Sequence, residues 1–484
     1  MTTSRRLVPA LVAIALAALA ALAAAPAPAA AVATAKPEQG PLNPAFVEAL
    51  HDPLVGIGLG RLPSPVEVHV GAAAQARAAR RAAPPSYDLR TEGRLTAVKD
   101  QGPWNTCWAF ANTAALESKL MPTAPEPDYS EDNVVRRSGY YSTMDQRYDW
   151  GGWDFMAVAY FARWAGPVDE RADPYDHRAG ANGTRKHVQG VVMVPGRSDP
   201  ADNDLLKRLV LENGALSAGM HFDPDLSPYS ELTDAAGLHA TYYSPQEEYE
   251  NHGVTIVGWD DAYPRDRFQG DDGTPPGDGA FLVRNTWGDG WGEDGYFWVS
   301  YHDGSFALDR GTGTWGGCTS YSDVQDVSNY SRIYQYDKLG VNSHWGYGIS
   351  RVWGANRFTA AATQFIAAAG FYTLSSSTRY EVWAGRSFSS LSLRASGTAD
   401  LPGYVTVPFA TKLRVYARRP FVVAVKLVSP NETYPMATER RINGWAPLAS
   451  AQRGQSFTSR NGYSWTDVTR VRPDMNVCIK AFAK

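Results

Sequence analysis

Three stretches far apart in the chain carry side chains that could act together on a carbonyl group. In KDQGPWNTCWAFANT, residues 99–113, Cys107 follows Asn105 and Thr106, both able to cap a helix start, and the apolar spacing from Cys107 onward is helical up to Pro122. The useful nucleophile is a thiolate, and a helix N-terminus beside an imidazolium lowers a cysteine pKa. The base must come from elsewhere in the chain. Among nine histidines, His252 in ENHGVTIVGWDD heads an apolar strand between Asn251 and Gly253, which leave its ring room to face a cleft. His221, after a strand-like run, is the second candidate, and the others stand in polar or linker contexts. Asn285 ends a strand in FLVRNTWGDGWGEDGYFWVSY, two residues before Trp287. An asparagine there can accept from one imidazole nitrogen and fix its tautomer, while the indole shields that bond from water.

The elements that must hold these residues can be read around them. Helical stretches run over CWAFANTAALESKLM, WDFMAVAYFARWAG (153–166) and DNDLLKRLVLENG (202–214). Strand-like runs follow in ALSAGMHF, HGVTIVGWDD, GAFLVRNTW and GYFWVSY. Helices before strands predict an α+β domain over residues 85–320, with a cleft between two halves. From 323 to 484 only short apolar runs between turns remain, which predicts an all-β sandwich. Residues 36–84 are rich in Pro, Ala and Gly and read as a linker or short pro-segment with little core of its own.

Bulk properties narrow the functions. A 484-residue chain holds two or three domains, and a net charge of −4 supplies no basic field for nucleic acid. Residues 1–35 have the order of a secretory signal peptide: Arg5 and Arg6, an Ala/Leu run, then small residues. No later apolar run approaches the ~20 residues needed to cross a bilayer, so the mature protein is expected to be secreted, with no integral membrane segment after signal removal. The cysteines are Cys107, Cys318 and Cys478. A Cys318–Cys478 disulfide would leave Cys107 as the free thiol, and two reduced buried cysteines fit as well. No C-x-x-C or histidine cluster offers a metal site, and Asp289, Glu293 and Asp294 lack the pattern of an EF-hand and read as a solvated turn. No cofactor is implied.

In that chain order, the stretches around Cys107, His252 and Asn285 resemble the papain-like cysteine peptidases. SYDLR (86–90) resembles the family's mature N-terminal segment. Gln101 stands where its oxyanion-hole glutamine does, and DWGGWDFMAVAYFARWAG resembles its glycine pair and the helix after it. The resemblance covers roughly residues 87–301 and implies a two-lobed fold. It also implies that Cys107 attacks the scissile carbonyl, His252 acts as acid and base, Asn285 orients His252, Trp287 covers the pair and Gln101 stabilises the oxyanion. Gly151 and Gly152 would pair with an extended substrate by strand addition, and Gly219 and Gly253 would line the pocket beside the scissile bond. Two departures stand out. Trp104 and Asn105 replace a disulfide cysteine and a glycine, so Trp104 is expected to brace the loop and Asn105 to tolerate positive φ. The short segment 36–84 has no counterpart of the family's long pro-helix region, so any autoinhibition must work differently.

The C-terminal stretch is similar to the lectin-like domain of bacterial exported proteins. It could meet cell-surface glycans, although Trp345, Trp353, Trp383, Trp445 and Trp465 are expected in the core. The function expected is that of an exported cysteine peptidase, an endopeptidase acting on proteins or peptides. The alternatives are a surface or carbohydrate-binding protein on an inactive papain-like scaffold, or an amidase or acyl transferase on the same fold.

Overall fold

The helix Cys107–Leu120 is buried from Cys107 through Ser118. A helix covered on every side needs packed neighbours all round. They are the helix Asp154–Ala162 and the strands Leu216–Met220, His252–Asp260 and Cys318–Asp326. The computed structural model describes residues 36–50, 59–80, 82–223, 225–235, 237–308 and 317–484, so the expected signal peptide lies outside the described residues. Thr106 takes the N-cap position, yet its side chain makes no capping bond and its hydroxyl pairs with the Tyr175 hydroxyl at 2.7 Å. The expected side-chain cap is therefore absent. The helix Asp204–Asn213 ends as expected on a glycine, Gly214, at φ 96°, where a Cβ would be strained.

His252–Asp260 lies at the centre of its sheet, antiparallel to Leu216–Met220 on one side and to Ala280–Arg284 on the other. This register sets Gly219 opposite Gly253 and Met220 opposite His252. Asn285 follows the last residue of Ala280–Arg284, one strand away from His252. Two strands thus carry base and orienting amide, and the central helix carries the thiol.

The sheet does not end with this domain. Lys186–Val194 pairs with Cys318–Asp326 and also with Gly403–Val415, where Tyr404 stands opposite Val191. Beyond it lie Gln364–Thr373 and Ile479–Ala483, so one sheet passes from the α+β region into the C-terminal region. A second sheet, from Ser392–Ala399 to Thr466–Asp467, contributes to the apolar layer that completes the sandwich. Strand Cys318–Asp326 runs straight through the expected boundary near 320–323. Cys318 and Cys478 are buried and free in different core clusters, so the second of the two expected thiol states is the one present.

Residues 37–50 and 59–80 are built into this body. Glu38–Gln39 pairs with Trp345–Gly346, and Asn43 caps the short helix Pro44–Ala49 by accepting from the Ala45 amide at 3.0 Å. Phe46 packs edge-on to Trp153 at 5.3 Å and Trp445 at 6.2 Å, and Leu62, Val66 and Val68 are buried in the same cluster. A linker with little core was expected, but its apolar residues find their core in the domains it precedes. Of the five C-terminal tryptophans, Trp345 and Trp445 are core residues as expected. Trp353, Trp383 and Trp465 are only half-buried, with Trp353 touching the other two at 5.8 and 6.3 Å.

Trp445 is the C-terminal region's main plug into the helical lobe, meeting Tyr141, Trp150 and Trp153 at ring distances of 5.3, 5.6 and 6.3 Å. Replacing it with alanine leaves a large cavity, and Trp445→Ala is expected to lower stability by about 3–5 kcal/mol. Urea unfolding followed by circular dichroism checks this, with a single transition at a lower midpoint as the expected result.

Candidate active site

His252 is fully buried, and its Nε2 lies 2.8 Å from Asn285 Oδ1. An amide oxygen can only accept, so Nε2 carries the proton and Nδ1 presents its lone pair. Nδ1 has no hydrogen-bond partner. The next amide along, that of Gly253, donates to Cys107 Sγ at 3.1 Å, so base and thiol sit side by side. Asn285 Oδ1 also accepts from the Thr286 amide at 2.8 Å, and the Thr286 hydroxyl donates to Gln101 Oε1 at 2.5 Å. Trp287 lies over the His252 ring at 4.9 Å, and Phe222 closes against both rings at 4.9 and 5.7 Å. Cys107, His252, Asn285, Gln101 and Trp287 are thus brought together. His221 points elsewhere, with Nδ1 3.0 Å from the Tyr249 carbonyl.

The loop before Cys107 departs from expectation in one respect. Trp104 packs edge-on to Tyr148 at 5.8 Å and His177 at 4.6 Å, an aromatic brace. Asn105 is not among the residues of positive φ; Gly102, at 61°, takes that conformation. Asn105 instead anchors the loop by donating from its side-chain amide to the Asp149 carbonyl at 2.6 Å.

Residues 59–66 lie in the cleft itself, all of them buried. The Gly152 amide donates to the Gly60 carbonyl and the Leu62 amide to the Gly152 carbonyl, both at 2.8 Å, so Arg61 sits opposite Gly152 in a parallel bridge. The Gly60 and Arg61 amides both donate to the Asn251 carbonyl at 2.9 Å. Gln101 Nε2 donates to the Leu59 carbonyl at 3.2 Å, so the side chain expected to stabilise an oxyanion already holds a peptide carbonyl. Contact is close on both sides. Gly60 has φ 108° and a Cβ there would fall 2.4 Å from the Asn105 backbone, while one on Gly151 would fall 2.4 Å from the Gly60 carbonyl oxygen. Arg61 is fully buried, with Nε 2.7 Å from Glu250, Nη1 2.9 Å from Asp154 and Nη2 3.0 Å from the Gly317 carbonyl.

This occupancy sets the charge state of the pair. Burial pushes the Cys107 thiol up to about 12, against the opposing pull of the Gly253 amide, Arg61 and the Trp108 amide. Burial also lowers His252 to about 4, against the hydrogen bond that it donates to Asn285. Burial thus favours the neutral form of both groups. Arg61, Asp154, Glu250 and Thr286 were not found from sequence. The only local signal for the first is GLGRLPSP, an arginine set among small and apolar residues.

Comparisons with known proteins fit this geometry. The family model described as Papain family cysteine protease matches residues 83–309. Over those residues the chain is similar to the papain family. The model described as Lectin like domain matches residues 333–483. The papain-family domain is 28% identical over 237 residues to a cysteine protease of Blomia tropicalis, covering 47% of this chain and 64% of that protein. It is 31% identical over 223 residues to procathepsin L of Mus musculus, covering 45% and 60%. The chain thus spans less than two thirds of the length of these curated relatives. The solved cysteine protease and lectin-like domains of Cwp84, a surface layer associated protein of Clostridium difficile, share the whole fold. The TM-score is 0.75 at 24% identity, over 93% of this chain and 98% of that one.

Two outcomes follow from the occupied cleft. Gly60→Ala cannot seat the segment, so iodoacetamide should alkylate Cys107 at least tenfold faster than in the wild-type chain at pH 7.5, read by mass spectrometry. For His252 the folded value lies below the ordinary 6.5, so the unfolded chain binds more protons between the two. The stability it contributes is complete above pH 6.5 and is lost as pH falls toward about 4. Thermal melting at pH 7.5 and 5 should show a smaller acid-induced drop in His252→Gln than in the wild type.

Proposed function

We propose that this chain is a cysteine peptidase made as a self-occluded precursor, and that it cleaves peptide bonds once the 59–66 stretch leaves the cleft. The observation that carries this reading is that the Gly253 amide beside His252 donates to the Cys107 thiol at a helix start, while Asn285 holds the His252 ring with Nδ1 free to accept. When water returns to the cleft, the burial penalty on both groups falls and proton transfer from Cys107 to His252 becomes favourable. The thiolate attacks the scissile carbonyl, and the Gln101 amide, freed from Leu59, donates to the oxyanion. Collapse breaks the C–N bond, with the His252 proton going to the leaving amine, and leaves a thioester. His252 then takes a proton from water, whose oxygen attacks the thioester, and the acid product departs as Cys107 regains its proton. Gly152 already pairs with the backbone of the segment, and Gly151 lies against the Gly60 carbonyl, which supports their role in holding a polypeptide substrate.

Release outside the cell is supported by the leader-like residues 1–35 and by the likeness to the surface-associated Cwp84. The half-buried Trp353, Trp383 and Trp465, beside Tyr463 at 90% exposure, support contact between the lectin-like domain and surface glycans. The complete thiol, imidazole and amide set favours an enzyme over an inactive scaffold.

Cys107→Ala should reduce hydrolysis of a fluorogenic peptide library by more than about a thousandfold. Asn285→Ala retains nucleophile and base and should lose less, mainly in kcat. Equal rates for wild type and Cys107→Ala would defeat the reading.

A further inference from the structure

Arg61 marks a pocket whose chemistry is independent of the segment that now fills it. Its walls are two carboxylates and a carbonyl: Asp154, Glu250 and the Gly317 oxygen. The room between them exists because residue 219 is glycine, since a Cβ there would fall 1.8 Å from Glu250 Oε2 and 2.5 Å from Arg61 Nε. Gly219 was expected to line a pocket beside the scissile bond, and the structure gives that pocket its charge. Asp154 keeps other donors when Arg61 departs, from Asn112 at 2.8 Å and Thr319 at 2.8 Å, so it remains in place as a buried acceptor. Two carboxylates left facing one pocket repel each other, and a cation arriving on another chain relieves both.

Resting on the peptidase reading, we infer that the pocket walled by Asp154, Glu250 and Gly219 selects substrates with a basic residue, arginine above lysine, at the second position ahead of the scissile bond. The position follows from spacing along the segment. The Leu59 carbonyl sits on Gln101, the oxyanion donor, and Arg61 sits opposite Gly152, with one residue between them. The segment runs parallel to Gly152, so a substrate laid in the opposite, antiparallel direction with its scissile carbonyl at the place of the Leu59 oxygen brings its second residue ahead of the scissile bond into the same pocket. The preference for arginine follows from geometry. Nε and both Nη atoms of Arg61 are each used, toward three different acceptors, a fork that a single ammonium cannot reproduce.

The test uses peptidyl epoxides that differ only at that second position, carrying arginine, lysine or leucine. They are applied to full-length chain activated until residues 36–84 are released, and in parallel to full-length Gly60→Asp, in which the segment cannot seat. Mass spectrometry reads the labelling of Cys107. Arginine is expected to label at least tenfold faster than leucine, with lysine between them, and in Glu250→Gln the arginine-to-leucine ratio should fall below about a third of its wild-type value. Labelling by leucine as fast as arginine overturns the inference and leaves the peptidase reading standing. No labelling by any epoxide, while iodoacetamide still alkylates Cys107, overturns the peptidase reading and this inference with it.

Discussion

Asp154 is buried without exposure, and a carboxylate in that position is stable only if donors surround it. It receives Arg61 from the cleft segment, Asn112 from the central helix, Ser217 from one strand and Thr319 from another. Asn112 in turn accepts from the Tyr321 hydroxyl at 3.0 Å. One carboxylate thus ties the helical lobe, the sheet and the segment to a common point. The floor of the cleft has its shape because these four elements must converge there.

The occluded state leaves the machinery assembled. The tautomer of His252 is set, the thiol is beside it and Gly152 is in use. Burial raises the thiol and lowers the imidazole, so on the proposed reading departure of the segment changes their charge state without a large movement of either side chain. The segment also runs parallel to Gly152 and presents glycine at its tightest point, so its own backbone is held in a register set by contact.

The thiol, the imidazole, the amide and the glutamine were legible in the sequence because each sits in a local pattern: a helix start, a strand head, a strand end and a fixed offset from the cysteine. The α+β and all-β halves were legible for the same reason, through periodicity. Arg61 was not, because its partners Asp154 and Glu250 are 93 and 189 residues away and charge pairing at such separations leaves no local trace. The burial of Phe46, Leu62, Val66 and Val68 was equally hidden, since a Pro/Ala/Gly composition gives no hint that another domain supplies the core. The half-open Trp353, Trp383 and Trp465 show the same limit from the other side. Aromatic residues in strands read as core, and only the sheet's outer face decides how much of each ring remains wet.

The pairing of Glu38–Gln39 with Trp345–Gly346 also has a consequence in time. The strand beyond that partner, Met436–Glu439, is in turn held by Asn476–Val477 near the end of the chain. Residues 38–39 therefore wait for residues 343–346, 436–439 and 476–477, made much later, before their sheet can close. During synthesis the latch is necessarily finished late, and a ribosome-bound or truncated chain lacks part of the surface that holds it shut.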